Sequence, residues 1–146
     1  MNFEIVKMSD EHIKEVSLIE NLSFPDPWSE TAFKEEINNE TAVFLTAVCD
    51  GFVCGYIGFH FALDEGYIAL VATHPEYRQK GIAKALIEKS VEKAKELNLS
   101  FLSLEVRVSN IPAQKLYHSC GFEFVGKRPN FYQTPKEDAY IMTKYF

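Results

Sequence analysis

Residues 67–84 read YIALVATHPEYRQKGIAK, and few architectures accommodate such a run. The apolar stretch from Tyr67 predicts a strand over 67–73, and His74-Pro75-Glu76 predicts a turn. After Arg78-Gln79-Lys80-Gly81-Ile82-Ala83, apolar and small residues recur at helical spacing: Ala83, Leu86, Ile87, Ser90, Val91, Ala94 and Leu97. They predict a long amphipathic helix over about 81–97, with Asn98 as a left-handed stop. A strand, a tight basic turn containing glycine, and a helix N-terminus suit a bound phosphate. The first-turn N–H groups of a helix have no partners within it, and the helix dipole favours an anion there. The strand is almost wholly apolar, which predicts a central position covered on both faces. The next strand is expected at 101–106. Strand, helix, strand means a parallel, right-handed crossover.

The remaining segments build a sheet around that crossover. Residues 3–6 read as a first strand. Ser9 is a good N-cap for a helix in which Ile13, Val16 and Glu20 share a face with Ser17, widened by Leu18, Ile19 and Leu22. Pro25 and Pro27 end it, and Ser29 caps a second helix over 30–38. Trp28 and Phe33 occupy the positions of a hydrophobic staple, so two roles are open for Trp28: that staple, or the wall of a cleft. Strands at 42–49 and 52–61 flank Asp50-Gly51, a strong hairpin signal. Asn110 caps a short helix with Pro112 in its first turn, and Gly121 ends it. The last strands are expected at 122–126 and 140–145, joined by a long polar and aromatic loop over 127–138. The fold class is α/β: one mixed sheet of seven strands, mostly antiparallel, with helices on both faces.

The chain has 146 residues, enough for one domain with a real core. Its formal net charge of −6 argues against a general nucleic-acid binder and is compatible with a basic peptide or amine as partner. No apolar run has the length of a membrane span, and the first residues lack a signal-peptide core, so a cytoplasmic protein is expected. Cys49, Cys54 and Cys120 are expected to be reduced, with Cys49 and Cys54 structural and no metal site.

Arg78-x-x-Gly81-x-Ala83 resembles the acetyl-coenzyme A signature of the GCN5-related N-acetyltransferases. Three further blocks carry the resemblance across nearly the whole chain. They are Phe24…Pro27-Trp28-Ser29-Glu30, then Leu104-Glu105-Val106-Arg107-x-Ser109-Asn110…Leu116-Tyr117-x-Ser119-x-Gly121-Phe122, and Glu137-Asp138-Ala139-x-Ile141-Met142. They point to the branch of that family that acetylates the N-terminal alanine of a ribosomal protein. Arg78 stands where Gln is also found and Ala83 where Gly is, both within the family's range. The segments 23–28 and 127–136 match in outline only.

The resemblance implies a central parallel pair of strands that splays apart, and a set of roles. Backbone groups of Val71, Ala72 and Thr73 would bond the pantetheine arm of acetyl-coenzyme A, with an N–H near Val71 facing the thioester oxygen. Arg78, Gln79, Lys80, Gly81, Ile82, Ala83 and Lys84 would cradle the pyrophosphate. Glu105 aligns with the general base, acting directly or through water, and Tyr117 with the group that protonates the coenzyme A thiolate. The bland reading of Glu105 is a surface carboxylate paired with Arg107 or Lys115. Asn110 aligns with a cofactor contact, although capping explains it as well. Trp28, Arg128 and Tyr132 are the candidates to bind the acceptor, with Asn130 and Phe131 beside them. Cys120 needs no covalent role, because direct transfer from a thioester requires no acyl-enzyme, and His74 suffices as a turn residue. A small amine, a polyamine or an antibiotic is the rival acceptor. A non-catalytic acyl-coenzyme A sensor would keep Gly81 but dispense with Glu105 and Tyr117.

Overall fold

The structure, a computed structural model, describes residues 2–146. Its seven-stranded sheet has the order β1-β2-β3-β4-β5-β7-β6. Strand β1 (Glu4–Lys7) pairs antiparallel with β2 (Ala42–Cys49), and β2 with β3 (Phe52–Ala62). The β2–β3 turn is made by Asp50 and Gly51 at φ 51° and 83°. Two left-handed residues are what a two-residue hairpin of matching twist requires. Strand β4 (Glu65–Thr73) runs antiparallel to β3 and parallel to β5 (Phe101–Arg107), giving the mixed sheet expected.

Helices α1 (Ile13–Ser23) and α2 (Glu30–Ile37) precede β2; α3 (Ile82–Glu96) links β4 to β5, and α4 (Ile111–Ser119) follows β5. Two clusters of buried residues form the core. One joins Val16 and Ile19 of α1 and Phe33 of α2 to Phe44, Tyr56 and Leu70 on the sheet. The other joins Leu86 and Ile87 of α3 and Tyr117 of α4 to Leu45, Ile57, Leu102 and Leu104. Neighbouring β2 residues Phe44 and Leu45 fall in different clusters, so the clusters lie on opposite faces.

The local signals read from sequence recur at the element ends. Asn98 at φ 60° and Gly121 at φ 94° follow α3 and α4 in left-handed conformations. The Asn110 side chain accepts from Ala113 N at 3.2 Å and caps α4. Ser29 caps α2, accepting from Ala32 N at 3.1 Å. A short 3-10 turn, Asp10–His12, intervenes between Ser9 and α1.

Four expectations need correction. Leu18 and Leu22 do not widen the buried side of α1; they are 66% and 64% exposed. Leu97, expected in the α3 stripe, follows the helix and is exposed. Strand β4 is not covered on both faces: Tyr67 and Ala69 are exposed and Val71 half-buried. Its apolar residues serve a cleft as well as the core. The fourth concerns 127–138, read as a loop. Strand β6 (Glu123–Gln133) and β7 (Lys136–Tyr145) run through it as one hairpin. The ladder shifts between Phe124 and Gly126 and again between Arg128 and Tyr132, around Pro129 and around Asn130 at φ 55°. An edge strand exposed along its length carries no alternation to read, and proline is tolerated there.

One close approach holds the middle of the sheet. A Cβ on Gly58 of β3 would collide with the ring of Phe44. Replacing Gly58 by alanine is expected to destabilise the fold by about 1–3 kcal/mol. Urea unfolding checks this, and an unchanged midpoint would show that the Phe44 ring moves aside freely.

Candidate functional site

The site begins where the parallel pair ends. Strands β4 and β5 are in register at Glu65↔Phe101, Gly66↔Leu102 and Tyr67↔Ser103, and no pairing follows. On its other side β4 carries a bulge: Gly58 pairs with Leu70 and Phe59 with Ile68, so Ala69 has no opposite residue. The bulge reverses which face each side chain takes. Ile68 belongs to the α3 cluster, whereas Leu70 and Ala72 belong to the α1 cluster.

The resulting gap is a cavity of about 460 Å³. Residues Ile68, Ala69, Leu70 and Val71 line it from β4, and Leu104, Glu105, Val106 and Arg107 from β5. The end of α1 adds Glu20 and Ser23, its connection to α2 adds Phe24, Pro25, Asp26 and Trp28, α4 and its cap add Tyr117 and Asn110, and β6 adds Tyr132. Val71, Glu105, Asn110, Tyr117, Trp28 and Tyr132, singled out from sequence, thus meet around one cavity. Ala72 and Thr73 follow at the end of β4, outside its lining.

Glu105 is paired with neither Arg107 nor Lys115. Its Oε1 lies 3.3 Å from Nε of Arg128. Arg128 thereby reaches the site from an exposed position on β6. Tyr117 is 8% exposed and packs on Phe122 with ring centres 6.2 Å apart. Burial foremost, with Tyr132 and Cys120 nearby, pushes its phenol well above the ordinary tyrosine range, so it stays protonated at neutral pH. Burial also raises the Tyr132 phenol, while the Arg107 cation opposes that shift.

Trp28 fills both roles left open for it. Its ring lies 5.4 Å from that of Phe33 and 6.0 Å from that of Phe44, and it lines the cavity. A residue whose role sequence reasoning missed holds it there. Glu20 of α1 is 2% exposed, and its carboxylate accepts from Trp28 N at 2.9 Å and from the Tyr56 hydroxyl at 2.6 Å. Burial and this bond to Glu20 keep the Tyr56 phenol protonated far above neutral pH. The available signal was a glutamate within the buried stripe of α1, a position that requires paired donors.

The basic turn stands beyond the end of β4, outside the cavity lining. Gln79 and Gly81 are left-handed, at φ 60° and 81°, and α3 starts at Ile82. The first helical bond runs from Ala85 N to Gly81 O at 3.0 Å, so the N–H groups of Ile82, Ala83 and Lys84 come before any helical acceptor. Arg78, Gln79, Lys80 and Lys84 are exposed, and a Cβ on Gly81 would meet no atom within 4 Å. The first turn holds no acidic side chain. Free N–H groups, lysines and open space together can hold a phosphate.

The other candidates take quiet places. Cys49 and Cys54 are buried free thiols; Cys54 donates to Ala47 O at 3.3 Å and burial pushes it up to about 11. Burial also raises the Cys120 thiol, which is the wrong direction for a nucleophile. His74 Nδ1 accepts from Glu76 N at 3.1 Å and caps its own turn. No helix among the described residues is long and apolar enough to cross a membrane.

The chain resembles known proteins over nearly its whole length. A protein of Bacillus subtilis (strain 168), named provisionally as a ribosomal protein bS18-alanine N-acetyltransferase, is 41% identical over 133 residues, covering 90% of this chain and 88% of its own. The crystal structure of the ribosomal-protein-S18-alanine N-acetyltransferase from Escherichia coli superposes with a TM-score of 0.89 at 28% identity, covering 99% of this chain and 94% of that one. NAA60 of Arabidopsis thaliana, solved with acetyl-CoA, shares the fold at a TM-score of 0.89 and 21% identity, covering 99% of each chain. The family model of the acetyltransferase (GNAT) family matches residues 13–122. On that match and the 41% identity, the chain belongs to the GNAT acetyltransferase family.

Proposed function

We propose that this chain is a cytoplasmic, acetyl-coenzyme A-dependent N-acetyltransferase whose acceptor is the N-terminal α-amine of an alanine on a ribosomal protein. The observation that carries the reading is the single gap between β4 and β5. It brings a carboxylate, a neutral phenol and two aromatic walls to one cavity, one turn of chain away from a phosphate cradle. The relative from B. subtilis and the E. coli structure support the acceptor by what they are named. A net charge of −6 suits a basic partner.

In this reading the substrate pyrophosphate lies on the N–H groups from Gln79 to Lys84, and Gly81 lets the backbone come close. The pantetheine arm enters along Val71–Thr73, and an N–H near Val71 stabilises the oxyanion. Glu105 takes a proton from the acceptor ammonium, directly or through water. An α-amine has a pKa near ~8, so at neutral pH such a base is required. The amine nitrogen then bonds to the thioester carbonyl carbon and gives up its second proton to solvent, and the carbon–sulfur bond breaks as the tetrahedral intermediate collapses to the amide. Tyr117 donates its hydroxyl proton to the departing thiolate and recovers one from solvent. Trp28 and Tyr132 enclose the acceptor's first residues. Arg128 holds Glu105 until the acceptor arrives.

Coenzyme A release with a panel of peptides varied at the first residue, beside spermidine and free lysine, tests the acceptor. Turnover of alanine peptides well above the small amines is expected. Fast turnover of small amines with none on peptides would overturn the assignment. Glu105→Gln is expected to lower kcat by about 100-fold near pH 7. The deficit should shrink as pH rises through ~8, where the amine deprotonates unaided, and the KM for acetyl-coenzyme A should hold. An unaltered pH–rate profile would remove Glu105 as the base. Tyr117→Phe is expected to slow turnover by about 10- to 100-fold, and an undiminished rate would assign thiolate protonation to water.

A further inference from the structure

Beyond Arg128 few backbone pairs hold the end of the β6–β7 hairpin. After the register shift only Tyr132↔Glu137 and Gln133↔Lys136 pair across it. Two pairs on an exposed edge do not fix a hairpin in water. Asn130 N donates to Asp138 Oδ1 at 2.8 Å and Gln133 Nε2 to Asn130 O at 2.9 Å, and Arg107, the last residue of β5, ties the tip to the body of the sheet. Its Nη1 donates to Pro135 O at 2.9 Å and to Glu137 Oε1 at 3.1 Å, and its Nη2 donates to Thr134 O at 3.0 Å. Its guanidinium lies over the Tyr132 ring, 4.1 Å from the centre.

Both ends of this tie are themselves anchored. The Arg107 carbonyl accepts from Gln114 Nε2 of α4 at 2.9 Å. The second oxygen of Glu137 accepts from Ser109 N at 2.7 Å, just ahead of the α4 cap. Arg107 therefore connects the splayed strand, the hairpin tip and the helix that carries Tyr117. Both Arg107 and Tyr132 line the cavity that holds Glu105.

We infer that Arg107 is a positioning residue: by clasping the turn and stacking on Tyr132 it sets the wall against which the acceptor's first residues bind. The inference rests on the acceptor reading above. It requires arginine specifically. A lysine keeps the charge but has neither the planar fork that meets two carbonyls and a carboxylate nor the flat face that covers a ring.

The test compares R107K, R107Q, Y132A and the R107K/Y132A double variant. Kinetics use an alanine-starting peptide and acetyl-coenzyme A, each varied with the other saturating. R107K is expected to raise the peptide KM by about tenfold, as for a misplaced binding wall, while the KM for acetyl-coenzyme A holds. A residue that merely held the fold together would move both. R107Q should behave likewise. The double variant should be no worse than Y132A, because Arg107 acts through that ring. Amide hydrogen exchange over 130–136 should quicken in R107K and not over 52–62. An unchanged peptide KM in R107K, or effects that add in full in the double variant, would overturn the inference alone. A wild-type enzyme that turns over no peptide would instead overturn the acceptor reading, and this inference with it.

Discussion

The parting of β4 from β5 after three register pairs is the constraint on which everything else depends. A parallel ladder could have continued from Tyr67 and Ser103 to the ends of both strands. Giving it up exposes peptide groups on both inner edges, and buried backbone groups need partners. The sheet tolerates this because each strand stays paired on its outer side, β4 with β3 and β5 with β7 along its full length. What remains is a slot edged by backbone donors and acceptors. In the proposed function an extended amide-bearing arm fills it, as an added strand fills a sheet edge. The Ala69 bulge matters for the same reason: it lets β4 bury Ile68 on one face and Leu70 on the other while Ala69 and Val71 border the gap.

Two charged side chains hold the walls of that slot, from opposite directions. Glu20 is buried and accepts from a tryptophan N–H and a tyrosine hydroxyl, fixing the proline-broken segment between α1 and α2. Arg107 is partly exposed and donates to two carbonyls and a carboxylate, fixing the hairpin tip. A buried group stripped of its partner costs about 1–3 kcal/mol, so the Glu20 arrangement is the more rigid. The Arg107 arrangement, screened by water, is the more adjustable. A fixed wall and an adjustable one suit a site that keeps one reacting geometry but receives a peptide terminus from solvent.

Much of this was legible in the sequence because it is local. Asp50-Gly51, Asn98 and Gly121 mark turns by their own conformational needs, and the α3 stripe follows a period of a few residues. The strand–turn–helix run and its motif resemblance located the slot, and Glu105 and Tyr117 line it as expected. The misreadings have physical causes. Only the middle of the last hairpin, 127–138, reads as a loop, because its edge strand is exposed and interrupted by Pro129 and Asn130. Leu18 and Leu22 looked buried because the helical stripe of α1 is wider in sequence than the sheet area that covers it. Arg128 lies 23 positions from Glu105, Tyr56 36 from Glu20 and Glu137 30 from Arg107, so no local pattern announces these pairs.

The central claim is that one continuous path, the free edge of β4 and the α3 N-terminus, receives the acyl donor. Backbone amide shifts of the labelled protein titrated with coenzyme A test it directly. The account predicts that the largest changes fall within 69–73 and 79–84, with smaller ones at 104–107 across the gap. Binding that moves the groove between α3 and α4, at Glu88, Glu92 and Ser119, while 69–73 and 79–84 stay still would contradict it.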